Sequence, residues 1–274
     1  MINNILKRVF GSKKYLRPGL GNKQAIALIQ EKIKLREPYA FTRFGDGEIH
    51  VLLGNGSDDF NRKVCRFWGY SYPDQLEDFY RDAREIVWRA FLGTDLHGFM
   101  DPDCPIVEMK YMPDIWSLSF DYLDLQGINP EDLLIADHML SRSREMGSFD
   151  GMRALLDGES VHIISPHVEK LQALDWEALI GQRPSFTLHP MEMNFRNRDQ
   201  FINEFKNIKE HVVLMGVGLQ KDYGIILRNK YGKVALDMGA TIDAWSGIIS
   251  RPWFKGGGLQ AYLVSEKLSS DEIV

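Results

Sequence analysis

Cysteine is nearly absent from this chain of 274 residues. Only Cys65 and Cys104 are present, too few and too ill-placed for a disulfide scaffold or a zinc site. A reducing compartment, the cytoplasm, is therefore the expectation. Long apolar runs are missing too, and none approaches the roughly 18–20 residues that cross a bilayer. The N-terminus carries charges but no apolar core or small-residue cleavage site, so no signal peptide is expected. There is no basic excess. Lys and Arg number 33 against 38 Asp and Glu, for a net charge of −5, which argues against a general nucleic-acid binder. Repeats and low-complexity tracts are absent as well.

What is present is ordinary for a globular protein: 44% hydrophobic and 26% charged residues. The length suits one large α/β domain with ample core. Residues 1–20 stand apart as a short basic amphipathic segment, with Lys7, Arg8, Lys13, Lys14 and Arg17 and no acid, beside Ile2, Ile5, Leu6, Val9 and Phe10. Such a segment can make weak peripheral contact with an anionic membrane, or pack as an N-terminal helix. The domain proper is expected over 21–274.

Apolar spacing predicts a helix over 22–35, with Asn22 as its cap. Further helical stretches are expected around 59–68, 74–91 and 114–125. Strand-like runs occur at 39–44, Leu133–Ala136, Val161–Ile164, Phe186–Leu188, Val212–Met215 and Val234–Leu236. Helices at 167–179 and 198–210 separate several of them. Short apolar strands alternating with helices indicate a mostly parallel sheet covered on both faces, a Rossmann-like architecture whose ligands bind outside the carboxyl ends of the strands.

The most informative stretch is Tyr39-Ala40-Phe41-Thr42-Arg43-Phe44-Gly45-Asp46-Gly47-Glu48. A strand runs into an apparent Gly-Asp-Gly turn. In an extended or looped backbone Asp46 and Glu48 can converge on one hard cation such as Mg²⁺ or Mn²⁺. Arg43 can offer a bidentate fork to a phosphate. The alternative is a turn whose charges face water. Downstream, Gly216-Val217-Gly218 before a helical stretch can cradle a diphosphate on backbone amides, or can simply pack tightly. Asp237, about 20 residues on, gives this region a dinucleotide-binding look, but Lys221 replaces the third glycine, and a cation there suits phosphate better than packing.

Arg43-Phe44-Gly45-Asp46-Gly47-Glu48 resembles the N-terminal signature of the GT-D-fold glycosyltransferases. Val212–Gly218 and Ala235–Gly247 are similar to the C-terminal half of that family, and His162–Pro166 to a family strand ending in a loop. The matches span roughly 39 to 254. The resemblance implies a GT-D-type fold, a divalent metal on Asp46 and Glu48, and transfer of a sugar from a nucleotide-diphosphate donor, UDP-hexose or UDP-N-acetylhexosamine, to a glycan or glycoconjugate acceptor. Donor contacts are then expected from Arg43, Phe44, Gly45, Gly216, Val217, Gly218, Lys221 and Asp237. Asp243 is the candidate base, although some members have a Gly-His-Ile-Asp run that Gly239–Asp243 does not reproduce. A metal-dependent phosphoesterase and a non-catalytic nucleotide-sugar-binding protein remain open.

Several residues carry secondary expectations. Asp101-Pro102-Asp103 is a second Asp-X-Asp candidate or a solvated loop. Asp137-His138 reads as a cap or an acid/base pair. His162 reads as a core histidine, while His167 and His189 can enter the cleft. Trp245 is the tryptophan to consider for stacking on a sugar or base.

Overall fold

The computed structural model describes residues 19–99, 121–190 and 195–248. The expectations for residues 1–18, for Asp101-Pro102-Asp103 and for most of the 114–125 helix lie outside the described residues.

The first element among the described residues is α1 (Asn22–Leu35), which buries Ala25, Ile29 and Ile33. The residue before the helix, and not Asn22, takes the cap position: Gly21 N donates to Gln24 Oε1 at 3.2 Å. Then come β1 (Tyr39–Phe44), α2 (Asp46–Leu53), α3 (Asp58–Phe67), α4 (Leu76–Gly93), β2 (Leu96–Phe99) and β3 (Ile135–Asp137). A 3₁₀ turn over His138–Arg142 leads to α5 (Arg144–Gly147), α6 (Phe149–Leu156), β4 (Val161–Ser165), α7 (Val168–Gln172), α8 (Trp176–Ile180) and β5 (Ser185–Leu188). The remainder is α9 (Asp199–Glu204), β6 (Val212–Met215), α10 (Tyr223–Tyr231), β7 (Val234–Asp237) and α11 (Ala240–Trp245).

The seven strands of the described residues are all parallel, in the order β3-β2-β1-β7-β6-β4-β5. Every residue of β1, β2, β4, β6 and β7 is buried, because helices cover both faces. The steps β1→β2 and β6→β7 run the same way across the sheet, so right-handed crossovers put α4 and α10 on one face. Arg89 of α4 pairs with Asp222 beside α10 at 3.0 Å. The step β4→β5 runs the other way and sends α7 and α8 to the opposite face, where Leu171 and Trp176 share a core with Ala25, Ile29, Met152 and Leu155. Adjacent strands β4 and β6 thus send their connections in opposite directions. Their carboxyl ends form a switch point, where open α/β sheets place ligands.

Several boundaries differ from expectation. Strand β3 starts after Leu133 and Leu134, because the Asn129-Pro130 turn extends to Leu133, whose N donates to Pro130 O at 3.1 Å. The 167–179 helix breaks where Asp175 caps α8 by accepting from Ala178 N at 3.2 Å. Strand β2 was hidden by His97 and Gly98. His97 is tolerated because Nε2 donates to Phe91 O at 2.9 Å. At Gly98 a Cβ would come within 3.0 Å of the Phe41 ring. No helix among the described residues is long and apolar enough to cross a membrane.

Candidate functional site

The Gly-Asp-Gly stretch is a helix start. Gly45 is the residue before α2, and Glu48 Oε2 accepts from its N at 2.8 Å, closing the first turn. Asp46 and Glu48 both favour the positive end of the helix. Two positions apart on a helix, however, their side chains leave the axis about 200° apart. The expected convergence on one cation in an extended backbone is therefore not what the fold provides. Glu48 is buried and its second oxygen, Oε1, lies 3.2 Å from Lys221 Nζ. Asp46 is partly exposed, and its carboxylate makes no hydrogen bond or ion pair among the described residues. No group of three or more His, Cys, Asp or Glu among the described residues is arranged to hold a metal. Asp46 alone fits a Mg²⁺-type ion that takes one carboxylate plus substrate phosphates and waters. Glu48 does not while Lys221 holds it. Phe44 packs on Phe91 and Phe99 at ring distances of 5.4 and 5.7 Å, so it is core.

Beneath α2 lies a buried charge cluster. Arg43 N donates to Asp237 Oδ2 at 3.1 Å, its Nη1 to Met238 O at 2.8 Å and its Nη2 to His138 Nε2 at 2.9 Å. An arginine can only donate, so His138 accepts on Nε2 and is neutral. Lys221 Nζ donates to Asp237 Oδ2 at 2.7 Å. Burial works to lower the Lys221 pKa, but the Asp237 and Glu48 carboxylates outweigh it and raise the pKa above the ordinary value. Arg43, Glu48, Lys221 and Asp237 are all under a tenth exposed. Of the expected donor contacts, Lys221 and Asp237 therefore spend their charges on each other, and the Arg43 guanidinium is turned into the protein toward Met238 O and His138, with its Nε buried and unpartnered. Gly239 (φ +50°) is required here, since a Cβ would sit 2.4 Å from Arg43 Nη1. Asp137 proves to be a cap, accepting from Met139 N at 2.8 Å.

At the switch point, Gly216 is partly exposed and Gly218 exposed. A Cβ on Gly216 would meet Gly239 O and Ile242 Cβ at 3.2 Å, and one on Gly218 (φ +59°) would meet Trp68 at 3.0 Å. Packing accounts for both glycines. Helix α10 begins only at Tyr223 with Asp222 before it, so the amides of Gly216, Val217 and Gly218 do not open a helix as expected. Asp222 is clamped by Arg89 and Arg198 at 3.0 and 2.5 Å, which pins this loop.

Across β6, His167 after β4 meets Asp243 after β7. Their Nε2 and Oδ1 lie 3.6 Å apart, with side chains 22% and 19% exposed. Asp243 sits in α11 and not in a loop. The His167–Asp243 pairing was not legible beforehand; the one signal is that both residues follow strands at the same sheet edge. Two other candidates leave the site. Trp245 is buried, donates from Nε1 to Gly147 O at 2.7 Å and packs on Phe149 and Trp176. His189 is buried among Trp68, Phe201 and Tyr223, and burial pushes its pKa down to about 4. His162 is the expected core histidine, bonded to Ser185 Oγ and, at 2.9 Å, to Thr187 Oγ1.

No family model matches the chain. Solved structures share its fold. A selenomethionine structure of domain of unknown function 1792 aligns with a TM-score of 0.56 at 16% identity, over 92% of this chain and 91% of that one. A second structure of that domain, described as having a distinct glycosyltransferase fold, aligns with a TM-score of 0.54 at 16% identity over the same shares. The fold is thus the glycosyltransferase fold of that domain, as the resemblance implied. Among curated proteins, human Transmembrane protein 94 is 30% identical over 112 residues, which is 40% of this chain and 7% of that protein.

Proposed function

We propose that this chain is a glycosyltransferase that moves a hexose or N-acetylhexosamine from a uridine-diphosphate donor to a glycan or glycoconjugate acceptor. The observation that carries this reading is the likeness to a glycosyltransferase fold over 92% of the chain. The partly exposed Asp46, His167 and Asp243 at the carboxyl edge of that sheet support it.

In this reading Asp243 takes the proton from the acceptor hydroxyl. The acceptor oxygen attacks the anomeric carbon, and the bond to the diphosphate breaks with its electron pair leaving on the diphosphate. His167, 3.6 Å from Asp243, positions its carboxylate. The Gly216–Leu219 loop offers backbone to the donor, held in place by Arg198 through Gln220 and Asp222. Arg43, Lys221 and Asp237 act from below by holding β1 against β7. A divalent cation, Mg²⁺ or Mn²⁺, would be held by Asp46 with the donor's phosphates and would neutralise charge on the departing diphosphate.

The test is to titrate a panel of nucleotide sugars with and without Mn²⁺ and to follow released nucleotide and transferred sugar. Acceptor-dependent transfer supports the proposal. Release of phosphate or nucleotide with no dependence on an acceptor would make the chain a phosphoesterase, and saturable binding with no turnover would make it a nucleotide-sugar-binding protein.

A further inference from the structure

We infer that Lys221 is a built-in cation: its ammonium joins Glu48 to Asp237 in the place where a divalent ion would otherwise be needed, so the motif's glutamate serves the protein's own lysine. The inference holds whether or not the chain transfers sugar. Glu48 comes from the first turn of α2 and Asp237 from the end of β7, and both carboxylates are buried. Two carboxylates at close quarters away from water repel, and one would have to protonate unless a positive charge lies between them. Lys221 Nζ lies 2.7 Å from Asp237 Oδ2 and 3.2 Å from Glu48 Oε1. An ammonium is a compact point charge with three donors, the nearest a side chain comes to a small metal ion.

The surrounding bonds fit this role. The other Glu48 oxygen is occupied by Gly45 N, and the Asp237 oxygen that meets Lys221 also accepts from Arg43 N. Arg43 and Lys221 give two positive charges against two carboxylates, with His138 neutral. The cluster is balanced as it stands, and a further doubly charged ion on Glu48 would have to expel Lys221. Both carboxylates already point at one nitrogen. Without it, a short closure toward the roughly 2.0–2.1 Å ligand distance of a Mg²⁺-sized ion would turn them into a metal site.

The experiment measures Mn²⁺ binding, by loss of the free-ion electron paramagnetic resonance signal, and thermal melting with MnCl₂ or chelator, all without nucleotide. Wild-type protein is expected to melt at the same temperature in MnCl₂ and in chelator. Lys221→Met is expected to melt about 10 °C lower in chelator and to recover in MnCl₂ while binding Mn²⁺. The double variant Lys221→Met, Glu48→Gln, with one carboxylate neutralised, is expected to melt above the single variant and to ignore Mn²⁺. If the single variant does not fold alone, refolding it in MnCl₂ is expected to rescue it. Chelator-sensitive melting of the wild type that vanishes in Glu48→Gln would overturn the inference. So would a single variant that neither loses stability nor responds to Mn²⁺, or one that Mn²⁺ fails to refold.

Discussion

The carboxyl edge of the sheet holds two sets of charged side chains that the fold treats in opposite ways. At the ends of β1 and β7, Arg43, Glu48, Lys221 and Asp237 are under a tenth exposed and bonded to one another. One strand further along, His167 and Asp243 are about a fifth exposed and 3.6 Å apart, short of a hydrogen bond. A buried ion pair is costly to disturb, because removing one partner leaves the other without water or counter-ion. A partly exposed and loosely held pair can be altered at little cost to the fold. The first set therefore builds the edge, and the second is the one to which we assign the proposed chemistry.

The sharpest way to break this contrast is to remove one member of the buried set. Asp237→Ala leaves Lys221 and the Arg43 amide without their shared acceptor, and should destabilise the fold by about 3–5 kcal/mol in urea unfolding. A loss below 1 kcal/mol would mean that the cluster does not hold the edge together.

Acid probes a neighbouring kind of burial. Burial holds His162 and His189 neutral by pushing their pKa values down to about 4. The unfolded chain takes up a proton near pH 6.5 while the folded chain does not until about pH 4. The stability these histidines contribute is thus complete above pH 6.5 and drains away as pH falls toward 4, by up to about 3 kcal/mol each. His189→Phe should flatten that limb in unfolding measured from pH 7 to pH 4, and an unchanged limb would rule His189 out as a source of it.

The two acids of the motif offer a finer version of the comparison. Asp46→Ala should leave the melting temperature intact and weaken Mn²⁺-dependent donor binding by about 10–100-fold, whereas Glu48→Ala should lower the melting temperature in chelator as well. The Glu48→Ala loss of stability should be the same with Mn²⁺ or chelator, and calorimetric titration alongside melting separates the two variants. Identical behaviour of the two variants would erase the distinction.

How much could be read beforehand follows the same division. Strands β1, β4, β6 and β7 announce themselves as apolar runs because they are buried on both faces. Strand β2 did not, since His97 and Gly98 interrupt its pattern for reasons that only Phe91 and Phe41 explain. In the motif the residue types were legible and the backbone was not. Gly-Asp-Gly reads as a turn, yet Glu48 closes a helical turn on Gly45. Trp245 looked like a stacking surface because a neighbouring Asp made it conspicuous; its indole is spent on Gly147. The pairing of His167 with Asp243 depends on β4 and β7 flanking β6, an order of strands that no local pattern contains.

The smallest effect concerns residues 1–20. Each basic residue near an anionic surface contributes only about 1 kcal/mol, so any binding should be weak and salt-sensitive. Co-sedimentation of full-length and truncated protein with anionic vesicles at low salt checks this, and equal recovery of both in the supernatant would remove the membrane from the account.

The most direct test of the central claim, that chemistry resides in the exposed pair and architecture in the buried cluster, is the turnover of Asp243→Asn at saturating donor and acceptor. Donor affinity and melting temperature should match the wild type while turnover falls by about 10²–10⁴-fold, the scale of general-base catalysis. Near-normal turnover in a correctly folded Asp243→Asn protein would contradict the claim.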